Sequence, residues 1–324
     1  MKLVWLAAAA ATLCSLPMAA GELPRDVLSI GYTKDKGLVA AAYRGGQVVV
    51  WDFESARVKH VFNASAPKST LNRPLAHFSA DGRRLAFTQE GDAGLVSYDL
   101  ETGASTMLVP RRLLVKGITA FSWSRQADRM LVAIGRDIFL INSQGRTQWQ
   151  HRLETRAIIT DVVWHPSEKF YTVATDDGEV STWETSSGRV IGSAKLDTGG
   201  EPAAVKVGWT SDDWLVASVR GVSLAVLDPE TLKPKKTTAC NCRDFTWSPG
   251  GKELFAWAPP GIAVFSESGQ RVREMRTPFE GAGPIEWAGE GRLLTAFSDS
   301  AVVLRDARTG KIVRTFVTGN STTH

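Results

Sequence analysis

One aromatic residue returns along this chain at a nearly fixed interval. Tyr32, Phe78, Trp123, Trp164, Trp209, Trp247 and Trp287 each close a short apolar run just before a polar turn, at successive spacings of 46, 45, 41, 45, 38 and 40 residues. After each anchor come a small-apolar run, a Gly-marked turn, a third run, another turn and a fourth run. A unit of ~40–45 residues with four short strands buries its apolar faces by stacking on copies of itself around an axis. The expectation is an all-β chain, a seven-bladed β-propeller of four-stranded antiparallel blades.

The fourth unit shows the pattern. Asp161-Val162-Val163-Trp164 reads as an inner strand and His165-Pro166-Ser167-Glu168 as its turn. Residues 170–174, 180–183 and 189–193 read as the next three strands, separated by Asp176-Asp177-Gly178 and Ser186-Ser187-Gly188. Asp-Gly and Ser-Gly pairs between short apolar runs are hairpin signals, and no stripe of helical period competes with them. The Trp anchors recur at one position of the unit, which points to packing between sheets rather than to a binding surface. Trp149, Trp214 and Trp257 fall outside the pattern and are read as candidates for exposed contacts.

At the ends of the third strands the chain resembles the WD-repeat propellers. Val48-Val49-Val50-Trp51-Asp52 carries the family dipeptide, and Tyr98-Asp99, Trp183-Glu184, Leu227-Asp228 and Arg305-Asp306 are degenerate copies. Ile141-Asn142 and Phe265-Ser266 depart further, and the family's Gly-His pair is missing from every unit. The resemblance spans about residues 27–317. Phe245-Thr246-Trp247-Ser248-Pro249-Gly250-Gly251 and Phe78-Ser79-Ala80-Asp81-Gly82 also resemble segments of the bacterial Tol-system propellers. WD-repeat propellers usually close by pairing an N-terminal strand into the last blade. Here residues 312–317 already supply a fourth strand for blade seven, so consecutive (unswapped) closure is expected.

Lys2, an Ala- and Leu-rich stretch over residues 3–16, Pro17 and the small residues Ala19, Ala20 and Gly21 have the layout of a secretory signal peptide. The expected organisation is a cleaved leader at 1–21, a propeller over 22–319 and a tail at 320–324, with the mature protein periplasmic or secreted. No later apolar stretch reaches the ~18 residues of a membrane span. Removing Lys2 takes the formal net charge from +4 to +3, too mild a bias to imply nucleic acid. Its partner is expected to be another protein. The five His residues do not fall at ligand spacing, and there is no haem motif, nucleophile elbow or phosphate-binding Gly loop. Neither a cofactor nor an enzymatic activity is expected.

Two features remain as candidate sites. Cys240-Asn241-Cys242 lies between the fourth strand of blade five and the first of blade six. It reads either as a local disulfide in an oxidising compartment or as a redox-active or copper-binding pair, since two thiolates suit Cu(I). By the family geometry, the turns between second and third strands share one face with the blade-to-blade connections. That face carries Arg44, Arg136 and Arg220 in the turns and Arg111, Arg112, Lys116, Arg152, Arg156, Arg243 and Arg276 in the connections, with Glu90, Asp92, Asp176, Asp177 and Asp299 among them. Either this is an ordinary solvated rim, or its Arg residues form a docking face for an acidic partner. The functional expectation is an exported, non-catalytic binding platform; the alternative is a periplasmic redox or copper-handling protein working through Cys240 and Cys242.

Overall fold

The computed structural model describes residues 26–63, 75–88, 93–110, 117–210, 213–277, 283–296 and 301–317. They form seven four-stranded antiparallel sheets, each made of strands consecutive in sequence. Blade one comprises β1 (Val27–Thr33), β2 (Leu38–Tyr43), β3 (Gln47–Asp52) and β4 (Val58–Asn63); blade two comprises β5 (Ala76–Phe78), β6 (Arg84–Thr88), β7 (Ala93–Asp99) and β8 (Ser105–Pro110). Blade three holds β9 (Ile118–Trp123), β10 (Arg129–Ile134), β11 (Asp137–Asn142) and β12 (Thr147–Arg152). Blade four holds β13 (Ile159–Trp164), β14 (Phe170–Thr175), β15 (Glu179–Glu184) and β16 (Val190–Lys195). In blade five are β17 (Val205–Trp209), β18 (Leu215–Val219), β19 (Ser223–Leu227) and β20 (Pro234–Ala239). Blade six has β21 (Phe245–Trp247), β22 (Glu253–Ala258), β23 (Gly261–Ser266) and β24 (Arg271–Arg276), and blade seven β25 (Ile285–Trp287), β26 (Arg292–Ala296), β27 (Val302–Asp306) and β28 (Ile312–Phe316). No helix of the described residues is long and apolar enough to cross a membrane.

Burial explains why these runs become strands in this order. Second strands lie between two neighbours and two flanking blades, so both faces must be apolar: β2 and β18 are buried at every position. Fourth strands form the outer edge, and β20, with Lys235 and Lys236, is exposed at all but one position. Between blades lie apolar layers. Val39, Ala41, Val49 and Trp51 of blade one, for example, meet Leu294, Val302, Leu304 and Phe316 of blade seven. Closure is unswapped, because β1 is the inner strand of blade one and β28 completes blade seven.

The third-strand dipeptides sit where the sequence places them, and the structure shows the work of their acidic member. Asp52 Oδ1 accepts from the Ser55 amide at 2.9 Å and its hydroxyl at 2.8 Å. Asp228 and Asp306 do the same with Thr231 and Thr309. These acids close the turn into the fourth strand, an Asx-type role. The Ser55 hydrogen bonds, the amide first, hold the Asp52 carboxyl down to about 2.

One expectation is overturned. Trp257 is 1% exposed. It lies on β22 on the same face as Phe255, since strand side chains alternate, and that face packs on Ile285, Leu293 and Val303 of blade seven. Trp149 and Trp214 are half-buried: Trp149 lies 5.6 Å from the Tyr171 ring and Trp214 beneath the Lys235 ammonium at 4.0 Å.

Candidate functional site

The seven inner strands surround a central channel of about 790 Å³. Six of the seven anchors end their inner strands and Tyr32 stands one residue before the end of β1, and three of the Trp indoles bind neighbouring blades. Trp123 Nε1 donates to the His77 carbonyl at 3.3 Å, Trp164 Nε1 to the Ser122 carbonyl at 3.1 Å and Trp209 Nε1 to Thr172 Oγ1 at 3.0 Å. The anchors are therefore packing residues. The chemistry lies upstream of them, at positions three and one residue before each anchor, where alternation turns side chains to the lumen.

Three residues before the anchor stand Ser29 in blade one, Asp161 in blade four, Lys206 in blade five and Asp244 in blade six, all lining the channel. Their side chains join one inner strand to the next, which backbone hydrogen bonds do not. The Ser29 hydroxyl donates to the Ala76 carbonyl at 3.1 Å. Asp161 accepts from the Val162 amide and, across the blade junction, from the Val207 amide, both at 2.9 Å. Asp244 accepts from the Phe245 amide at 2.9 Å and from Ile285 of blade seven at 3.0 Å. The Lys206 ammonium is ion-paired to Asp244 Oδ1. One residue before the anchor stand His77 of blade two and Glu286 of blade seven, also on the channel wall.

The channel encloses these groups in protein while their tips meet the lumen. Lys206 keeps 44% of its side-chain area accessible there and Asp244 12%. For Asp161, Glu286 and His77 burial is the largest influence on titration. It raises the Asp161 carboxyl to about 6 against the pull of Lys206, and the Glu286 carboxyl to about 7. Burial and then the Lys206 charge lower the His77 imidazole to about 4. Burial pulls Lys206 itself down, but Asp244 and Asp161 outweigh it and the ammonium is held above its usual range. At neutral pH the lumen thus contains a firmly charged lysine, a neutral histidine and carboxyls near their point of ionisation.

The expected Arg face is only partly described, because Arg111, Arg112 and Lys116 lie outside the described residues. Arg44, Arg220 and Arg243 come together at one channel mouth. The Gly221 amide bonds the Cys242 carbonyl at 3.1 Å, which sets the Arg220 turn beside Arg243. Arg44 is paired with Asp26 at 2.9 Å, and Arg136 donates to the Thr155 carbonyl at 2.8 Å, away from the channel wall. Arg152 pairs with Asp137 at 2.7 Å. The guanidinium groups of Arg156 and Arg243 are exposed, with no hydrogen-bond or ion-pair partner among the described residues. Of the acids of this face, Asp176 accepts from the Ile158 amide at 2.9 Å and Asp177 pairs with Lys195 at 2.7 Å, while Glu90, Asp92 and Asp299 lie outside the described residues.

Cys240 and Cys242 are joined as a disulfide with Cα atoms 5.1 Å apart. Cys242 is fully buried and packs with Val216, Leu224 and Phe245, while Cys240 is half-buried. The bridge stiffens the connection that leads into Arg243 and Asp244. Among the described residues no three His, Cys, Asp or Glu side chains converge as a metal would require.

The sequence reading passed over His77, Lys206, Asp244 and Glu286 as site residues, and treated Asp161 only as part of a strand. Their signal is positional: charged or polar residues at a fixed offset from the anchors, inside otherwise apolar inner strands.

This fold and its blade motif have relatives. A family model, the WD40 domain of anaphase-promoting complex subunit 4, matches residues 121–212. Among solved structures, the crystal structure of the β-propeller domain of Cps50 (Swd1) from Myceliophteria thermophila is similar at a TM-score of 0.70 and 15% identity, covering 88% of this chain and 97% of that one. No curated protein matches the sequence. These matches show that the chain has the β-propeller fold of the WD-repeat proteins, with similarity to a WD40 family model over residues 121–212.

Proposed function

We propose that the protein is an exported binding platform without chemistry of its own, which docks an acidic protein partner on the face around the Arg-bearing channel mouth. The fold supports a platform role, since a closed array of stiff sheets displays many loops around one axis and WD-repeat propellers typically serve as protein-interaction scaffolds. The observation that carries the choice of face is the exposed pair Arg156 and Arg243, cations whose donors meet no acid of their own chain among the described residues. Guanidinium forks of this kind suit bidentate binding of carboxylates at an interface. Export rests on the leader-like residues 1–21 and is checked by N-terminal sequencing of the mature protein.

The docking reading is tested by affinity capture from the native compartment with the double variant Arg156→Glu and Arg243→Glu. The expected result is loss of a stoichiometric acidic partner at unchanged melting temperature. Retention of every partner by the variant overturns it. The redox or copper alternative has less support, because the disulfide places Cys242 inside the apolar layer between blades five and six.

A further inference from the structure

The charges on the channel wall are sorted along its axis. At the mouth formed by the blade connections and the turns between second and third strands, Arg44, Arg220 and Arg243 stand with one acid, Asp26. Asp161, Asp244 and Glu286 share the middle with Lys206, and Lys34 stands with Asp35 at the opposite mouth. Cations and acids are equal in number over the whole wall, so the channel as a whole prefers neither sign. Its Arg mouth alone has an excess of positive charge. Arg44 and Asp26 pair there at 2.9 Å, so the excess centres on Arg243, with Arg220 beside it.

Backbone holds these two residues in one stiff piece. The Arg220 amide donates to the Ala204 carbonyl at 3.0 Å and the Arg243 amide to the Trp257 carbonyl at 3.0 Å. Between them, the Gly221 amide donates to the Cys242 carbonyl and the Cys240 amide to the Val222 carbonyl, both at 3.1 Å. The Cys240–Cys242 disulfide closes the same connection. Both Arg side chains are exposed, and that of Arg243 meets no acid among the described residues. Guanidinium groups carried on a fixed backbone lose little freedom on binding, which favours recognition of carboxylates.

The order of charges also fixes how far an anion travels. A carboxylate arriving from outside meets Arg243 first and is stopped below it by the carboxyls of Asp161, Asp244 and Glu286. The second unengaged cation of this face, Arg156, lies on a different junction, between blades three and four, whereas Arg243 lies between blades five and six. A small anion or a single chain end fills one of these places. A chain with several acidic side chains reaches both.

Resting on the docking reading above, we propose that the partner presents an extended acidic segment, one carboxylate of which seats in the channel mouth on Arg243 beside Arg220 while another reaches Arg156. Arg clusters recognise acidic motifs in this way, through forked donors matched to carboxylate oxygens.

The test is fluorescence anisotropy of a labelled hexaglutamate peptide, acetylated and amidated so that only side chains carry charge, with the purified protein at low salt. The control is acetylated hexaglutamine with a free C-terminal carboxylate. The expected outcome is saturable hexaglutamate binding with Kd below about 1 mM, weakened by added salt, and no comparable binding of the control. Arg243→Ala weakens it at least tenfold, and Arg220→Ala and Arg156→Ala several-fold each, at unchanged melting temperature. Absence of hexaglutamate binding, equal affinity in Arg243→Ala, or equal binding of the control overturns the proposal. If hexaglutamate fails while Arg156→Glu with Arg243→Glu still loses its captured partner, the acidic segment falls and the docking face stands. If hexaglutamate binds as expected while that double variant keeps every partner, the mouth site stands and the docking reading falls.

Discussion

The indole nitrogen of Trp51 donates to the backbone carbonyl of Val317 at 3.0 Å, joining the third strand of the first blade to the end of the last across 266 residues of sequence. Phe316 packs on the same indole at 6.1 Å between ring centroids and on Phe53 at 6.4 Å. Arg314 completes the seam by donating to the Phe53 carbonyl. The ring is closed by side chains reaching across a junction, with no strand exchanged.

Trp51→Phe retains an aromatic ring but removes the donor and leaves space at a fully buried site. Loss of one buried hydrogen bond plus a partial cavity is expected to lower stability by about 2–4 kcal/mol. Urea denaturation checks this, and a loss within error of zero would mean that the seam does not depend on this contact.

Lys206→Met removes the ammonium that is paired to Asp244 and that offsets the Asp161 and Glu286 carboxyls. Because the ammonium is partly open to the channel, the cost is below that of a fully buried pair, about 1–3 kcal/mol at pH 7. Much of that loss should be regained at pH 5, where Asp161 and Glu286 hold their protons. A penalty equal at the two pH values would count against the pairing.

The lumen carboxyls also set the pH profile. The folded values of Asp161 and Glu286, about 6 and about 7, lie above their ordinary 3.8 and 4.5. Between those values the native state holds more protons than the unfolded chain, so their contribution to stability falls as pH rises and is lost above the folded values. His77, at about 4 instead of 6.5, acts in the opposite sense below neutrality. Glu286→Gln removes the larger carboxyl effect, so the variant should match the wild type near pH 4.5 and exceed it by about 1–3 kcal/mol at pH 8. Denaturation curves at several pH values test this, and a stability difference that does not vary with pH refutes it.

Cys240→Ala with Cys242→Ala opens a very short loop, so the entropic loss is small, about 1–2 kcal/mol. Burial of Cys242 further predicts that the native protein resists thiol labelling until reductant and denaturant are both present. Rapid labelling under reductant alone would shift weight to the redox alternative.

The architecture was legible because it depends on a repeated local signal. Seven anchors at a near-constant interval, with Gly-marked turns between short apolar runs, leave few ways to bury every sheet, and the boundaries of β13–β16 fall within about two residues of the sequence reading. Trp257 was misjudged because position along a strand, not departure from the anchor pattern, decides which way a side chain faces. The lumen was the hardest part to read. Asp161, Lys206 and Asp244 are 45 and 38 residues apart, and only the stacking of successive blades makes them neighbours. Likewise, nothing local to Arg44 or Arg136 shows that one is held by Asp26 and the other by the Thr155 carbonyl, while Arg156 and Arg243 have no partner among the described residues.

The junctions are fastened at different radii. From blade one to blade seven the bonds of Ser29, Trp123, Trp164, Asp161, Lys206 and Asp244 involve the inner strands, whereas the bond between blades seven and one, from Trp51 to Val317, lies toward the rim. Among the described residues no hydrogen bond links β25 to β1. The molecule is therefore built like a split collar with its clasp on the outside. At that junction the inner edge is closed by apolar packing, Val27 and Ile30 sharing one buried cluster with Ala288, Leu294 and Ala296, so the bore is sealed there by the hydrophobic effect and the rim by hydrogen bonds.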